Sequence, residues 1–245
     1  FNIDTSHFTG NFPPAASIEA CVSDVDIPED GWEEILSKTD LAGDSHHFLG
    51  IDDERIWTHL RLNIFPDGGI ARLRVFGDVH FDWSQVPRDR DIDLAAMAHG
   101  GCALACSNMH FGHMQNLLAP GDPVNMGDGW ETRRLRGPGN DWIVVRLGHP
   151  GEIRTVQLDT AFFKGNYPAR FMLAGALLNS EDHQWPARES AGWKTIVPEV
   201  PLGPDRKHAF SGEIVRAGPV SHVLLDIIPD GGVGRLRLHG LPSPE

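Results

Sequence analysis

An all-β chain made of two tandem copies of one unit is what this sequence predicts, and three observations lead there. Glycine and proline supply 27 and 18 of the 245 residues, against about 12% together in average usage, so turns are frequent and helices short. Apolar and polar residues alternate over short runs that end in turn-forming residues, the period of half-buried strands. The chain also repeats itself. Asp4-Thr5-Ser6-His7-Phe8-Thr9-Gly10-Asn11-Phe12-Pro13 aligns with Asp159-Thr160-Ala161-Phe162-Phe163-Lys164-Gly165-Asn166-Tyr167-Pro168, 155 positions on. Thr58 to Arg74 aligns with Ser221 to Arg237 at 163 positions, and between these blocks Gly31-Trp32 matches Gly192-Trp193 at 161. A repeat this long exceeds any solenoid unit, so each copy is expected to be a domain with its own core.

The elements follow in order along the chain. Trp57 to Phe65 alternates Leu60, Leu62 and Ile64 with polar neighbours, and Ile70 to Phe76 alternates Leu73 and Val75 with Arg72 and Arg74. Pro66-Asp67-Gly68-Gly69 joins them as a tight turn whose glycines supply positive φ, and Pro229-Asp230-Gly231-Gly232 does the same in the second copy. Asp91 to Ala98 is expected as a helix capped by Asp91. Trp142 to Leu147 and Thr155 to Leu158 read as two strands separated by a turn at Gly148-His149-Pro150-Gly151. The first repeat is therefore placed at 1–83, a linker at 84–100 and the second repeat at 101–245. About 50 residues of the second copy precede its Asp-Thr block and have no partner ahead of Asp4. The first copy is thus expected to lack its N-terminal part as numbered here.

Charge narrows the partners. A formal net charge of −13 repels phosphate backbones and anionic lipid, so neither nucleic acid nor membrane is expected as a partner. The longest apolar runs, Leu94 to Ala98 and Val220 to Ile228, fall well short of the roughly 20 residues a membrane helix needs. Three cysteines and no basic, apolar leader point to a reducing cytoplasm. A small anionic ligand would need positive charge concentrated locally, and Arg133, Arg134 and Arg136 beside Glu131 form the densest such segment.

Four segments carry a family resemblance: Asp4 to Pro13, Asn125-Met-Gly-Asp-Gly-Trp-Glu-Thr-Arg-Arg, Asp141-Trp-Ile-Val-Val-Arg-Leu-Gly-His-Pro-Gly and Asp159 to Pro168. Together they strongly resemble the allantoicase family, over Phe1 to about Gly240. The resemblance implies two jelly-roll, galactose-binding-like antiparallel β-sandwiches and a homo-oligomer. It also implies hydrolysis of the small molecule allantoate to ureidoglycolate and urea in purine (allantoin) degradation. Members of the family carry a first Asp-Gly-Trp-Glu segment ahead of their first Asp-Thr block, and this chain departs from them there.

That reaction sets three tasks. A cation holds the substrate carboxylate, an acid protonates the departing urea nitrogen, and a base or a metal readies water. Glu131 is the candidate acid, and Arg133 and Arg134 are candidates for the carboxylate, because a guanidinium can donate two parallel hydrogen bonds to it. Alternate residues of an extended segment face opposite ways, so only one of the two arginines can serve one pocket. Lys164 and Asn166 are candidates for the ureido groups, against a reading in which Gly165 and Asn166 only shape a loop. His59 and His222, equivalent in the two copies, are further catalytic candidates or else a packed pair. No metal or other cofactor is expected: His46-His47, His110 and His113 near Cys106, and the Cys102 to Cys106 spacing do not match zinc signatures. The competing readings are a non-catalytic ligand-binding sandwich and a degenerate paralogue.

Overall fold

The computed structural model describes residues 1–87, 89–178, 187–188 and 192–244. It divides into two compact units, Phe1–Asp78 and Val79–Glu245. The first holds β1 (Asn2–Asp4), β2 (Ala15–Cys21), β3 (Glu33–Asp40), β4 (His46–Phe48), β5 (His59–Phe65) and β6 (Arg72–Arg74). These form two antiparallel sheets in the orders β4-β1-β6 and β3-β2-β5. Ile3, Ala16, Ile18 and Leu41 are buried between them, with Leu60, Leu62, Ile64 and Leu73 packed alongside and only partly covered.

The second unit repeats this plan with more chain. Its strands are β7 (Ile92–Asp93), β8 (Cys102–Cys106), β9 (Trp130–Glu131), β10 (Asp141–Asp159), β11 (Arg170–Ala176), β12 (Lys194–Pro201), β13 (Lys207–Phe210), β14 (Val220–Ile228), β15 (Gly232–Val233) and β16 (Arg235–Pro242). The order β12-β11-β14 matches β3-β2-β5, and β13 and β16 flank the end of β10 as β4 and β6 flank β1. Register agrees to the residue: Asp4 faces His46 and Arg72, and Asp159 faces Lys207 and Arg235.

Local hydrogen bonds repeat as well. The Thr5 hydroxyl donates to the Ala42 carbonyl and that of Thr160 to the Gly203 carbonyl, both at 2.7 Å. In the hairpin turns Gly68 and Gly231 have φ of +142° and +137°, a region only glycine enters without strain. These are the two jelly-roll sandwiches that the repeat and the resemblance lead one to expect. The inner faces of the second unit bury Ile143, Val145, Leu158, Leu173, Leu225 and Leu236 in one continuous core.

Three local expectations are corrected. Asp91 to Ala98 is not a helix: β7 pairs with His239 and Gly240 of β16, and a short 3-10 turn follows at Met97–His99. Leu94 and Ala95 are fully buried, and Asp93 Oδ1 accepts the N–H groups of Ala95 and Leu238. The sheet edge thereby supplies hydrogen bonds that a helix this apolar would have made internally. Residues 84–100 accordingly sit within the second unit. Gly148 to Gly151 is not a turn either. β10 runs through it, pairing with β14 from Asp141 to Arg146 and again at Gly151 after a register shift, and with β16 from Gly151 on.

Candidate functional site

The site is built outward from β9. Trp130 is fully buried and its indole N–H donates to the Asn108 carbonyl at 2.9 Å, which draws the short strand onto the core. On one side Glu131 pairs with Gly232 of β15. On the other its carbonyl accepts the N–H groups of Phe111 and Gly112 at 3.1 and 3.3 Å. Thr132 is buried and donates its N–H to the Gly231 carbonyl at 3.2 Å. β9 ends at Glu131; beyond buried Thr132, Arg133 and Arg134 are both exposed.

The hairpin turn brings a second loop against this strand. Gly232 donates its N–H to the Asn166 carbonyl at 2.7 Å, and a Cβ on Gly232 would lie 1.9 Å from the Phe163 ring. With that close approach, the Asn166 side-chain amide donates to Glu131 Oε1 at 2.6 Å. Glu131 is half-buried, and its Oε2 has no hydrogen-bond partner among the described residues. Arg133, Arg134 and Arg136 are exposed, and their side chains make no ion pair or hydrogen bond among the described residues. Asp128 nearby is already neutralised by buried Arg235 at 2.8 Å. The result is a carboxylate fixed at one oxygen, followed two to five residues on by three exposed arginines, in a chain whose net charge is −13.

Of the residues singled out in the sequence, Glu131 and Asn166 are brought into contact, Arg133 and Arg134 follow Glu131 as exposed residues, and Lys164 lies two residues from Asn166. Lys164 is exposed and stands 3.7 Å from Asp205. His222 is not brought to this site. It lies six residues before the end of β14, roughly 20 Å from the turn at strand rise, and its Nδ1 is held by the Ser221 hydroxyl at 3.0 Å. Burial, and after it the Arg146 charge, pushes its pKa down. His59, in the first unit, has the same arrangement with the Thr58 hydroxyl at 2.8 Å. Both histidines are held by the neighbouring hydroxyl at the start of equivalent strands. No three His, Cys, Asp or Glu side chains converge as metal ligands among the described residues.

Sequence reasoning passed over Asn108, Asp141 and the glycine at 112. Asp141 is buried, and its Oδ1 accepts the Ser107 hydroxyl at 2.6 Å and the Asn108 amide at 3.0 Å. The only trace in sequence is an Asn-Met-His-Phe-Gly run after a strand, which reads as an ordinary loop. Gly112 is required because a Cβ there would sit 2.1 Å from the Gly129 carbonyl oxygen. Beside Asp141, burial first and the carboxylate second push the Cys106 thiol up, keeping it protonated.

Comparison with known proteins bears on this arrangement. A family model described as an allantoicase repeat matches residues 1–80 and 92–243. A protein named probable allantoicase from Pseudomonas aeruginosa is 51% identical over 244 residues, covering 99% of this chain and 74% of that one. A probable allantoicase 2 from Burkholderia pseudomallei is 51% identical over 241 residues, covering 98% and 72%. The crystal structure of allantoicase from Saccharomyces cerevisiae superposes with a TM-score of 0.81 at 38% identity, covering 98% of this chain and 71% of that one.

Proposed function

Since the chain belongs to the allantoicase family and hydrolyses allantoate to ureidoglycolate and urea, we propose that Glu131 carries the proton transfers and Arg133 holds the substrate carboxylate. The observation that supports this most directly is the Asn166 amide on Glu131 Oε1. It fixes the carboxyl group while leaving Oε2 to face a substrate. Allantoate carries a carboxylate, a hydrogen and two ureido groups on one carbon. With the carboxylate on Arg133, one ureido nitrogen receives a proton from Glu131 Oε2 and its carbon–nitrogen bond breaks. The lone pair of the other ureido nitrogen fills the vacated position and gives an imine-like carbon. Water then adds there and returns a proton to Glu131, so that allantoate and water become ureidoglycolate and urea and the enzyme is restored.

This route needs no covalent nucleophile. Lys164 and Asn166 lie on the loop nearest the ureido groups in this reading, with Asn166 acting through Glu131. Two further features belong to the proposal. The exposed side chains of Met109, Phe111, Val124, Met126 and Phe162 lie on the segments that form the site, which favours a homo-oligomer covering them. The three free cysteines suit a reducing cytoplasm. No helix among the described residues is long and apolar enough to cross a membrane.

The test is urea release from allantoate by Glu131→Gln. An amide keeps the hydrogen bonding and cannot transfer the proton, so kcat should fall by about 10²-fold or more with KM nearly unchanged. Near-normal turnover in folded protein would move the acid elsewhere.

A further inference from the structure

Two adjacent arginines, Arg133 and Arg134, follow Glu131, and their different main-chain anchorage separates them. Asn108 directs two of its groups to the segment that bears Glu131 and the third to β10. Its backbone carbonyl accepts the Trp130 indole N–H at 2.9 Å. Its side-chain Oδ1 accepts the backbone N–H of Arg133 at 2.9 Å. Its Nδ2 donates to Oδ1 of buried Asp141 at 3.0 Å, an oxygen that also accepts the Ser107 hydroxyl at 2.6 Å. Residues 130 and 133 are thus both tied to one asparagine, itself tied to the first residue of β10. Leu135 has its own anchor, its N–H donating to Asp230 Oδ2 at 2.9 Å. Arg134 lies between the two anchored positions, and no backbone N–H bond of its own holds it among the described residues.

We propose that Asn108 is a positioning residue that, through the Arg133 backbone, makes Arg133 and not Arg134 the group that binds the substrate carboxylate. The inference rests on the functional reading above and adds the choice between the two arginines. A guanidinium on an anchored backbone loses less conformational freedom when it makes two parallel bonds to a carboxylate, so it binds more tightly than one on a free backbone. Asp141 serves the same end one step further back: buried at the start of β10, it orients the Asn108 amide so that Oδ1 faces Arg133.

The experiment is steady-state urea release from allantoate by Arg133→Ala, Arg134→Ala, Asn108→Ala and the double variant Asn108→Ala/Arg133→Ala, with thermal unfolding recorded for each. Arg133→Ala and Asn108→Ala should each raise KM at least tenfold with kcat changed less than threefold. Arg134→Ala should raise KM less than threefold. Loss of folded enzyme lowers apparent kcat and leaves KM alone, so a raised KM separates positioning from mere stability. If Asn108 acts through Arg133, the double variant is no worse than Arg133→Ala alone, whereas additive effects overturn the proposal. Asp141→Ala should follow Asn108→Ala, and Asp141→Asn, which keeps an acceptor for Ser107 and Asn108, should recover KM. Should Asn108→Ala fold poorly, the two exposed-arginine variants still decide, and equal KM effects reject the assignment. Failure of the underlying reading looks different: there Glu131→Gln keeps turnover, whatever the arginine variants do.

Discussion

At the scale of single residues, the site depends on a side chain whose role changes between sequence and structure. Asn166 donates to Glu131 Oε1, so its amide acts on the acid before it could act on substrate. Asn166→Ala should lower kcat about tenfold or more, because Glu131 then samples rotamers that leave Oε2 misaimed. Asn166→Asp should be worse, since it places a second carboxylate against the first. Steady-state kinetics on the two variants checks the order. A separate pH effect belongs to two half-buried histidines. The pKa values of His208 and His222 are both held below the ordinary 6.5, in each case chiefly by burial. The unfolded chain therefore binds their protons more readily than the folded one. The stability they contribute is complete above about pH 6.5 and is lost as pH falls through the folded-state values. Thermal unfolding between pH 7.5 and 5 should show Tm falling on the acid side, with a shallower fall in His222→Gln. An unchanged slope in that variant would assign the effect to other groups.

At the scale of elements, the hairpin turn is what carries the site. Gly232 and Gly69 are equivalents: a Cβ would lie 1.9 Å from the Phe163 ring in one and 2.0 Å from the Phe8 ring in the other. Alanine at either position should destabilise its unit by about 1–3 kcal/mol through overpacking. Only Gly232→Ala should also cut urea release per folded molecule, since β15 and Asn166 hold Glu131 and the first unit has no such strand pair among its described residues. Gly10, with open space around it, provides the contrast, and Gly10→Ala should leave both properties within experimental scatter.

At the scale of the whole molecule, the two repeats share a plan and differ in how fully it is covered. Leu225 of β14 is fully buried, while its counterpart Leu62 of β5 is only partly so. Leu225→Ala should cost about 2–5 kcal/mol, the usual price of emptying a core site, and Leu62→Ala distinctly less. Hydrogen exchange should show the same ranking, with amides of β10 and β14 protected longer than those of β2 and β5. Equal protection in the two units would contradict the difference in burial.

Much of this architecture was legible in the chain because repetition and alternation are local signals. Copies 155 and 163 positions apart, strands of period two and Pro-Asp-Gly-Gly turns require nothing beyond neighbouring residues to be read. The same holds for the basic segment after Glu131, since charge density is a property of composition. What was not legible depended on long-range pairing. Asp91 to Ala98 carries a helical start signal, yet β16, some 145 residues on, supplies the hydrogen bonds that make it an edge strand. Gly148 to Gly151 has turn residues, and only the two partner strands on either side show why the chain runs straight through them. His59 and His222 stood out because they repeat, and the fold shows each held by the hydroxyl before it. By itself, then, the sequence determined the fold class, the tandem plan and the basic segment that follows Glu131. The tertiary structure alone decided that Asn166 meets Glu131 and that Asn108 anchors the Arg133 backbone. Those contacts join residues 35 and 25 positions apart, and no periodicity along a chain encodes which residue a distant loop will hold.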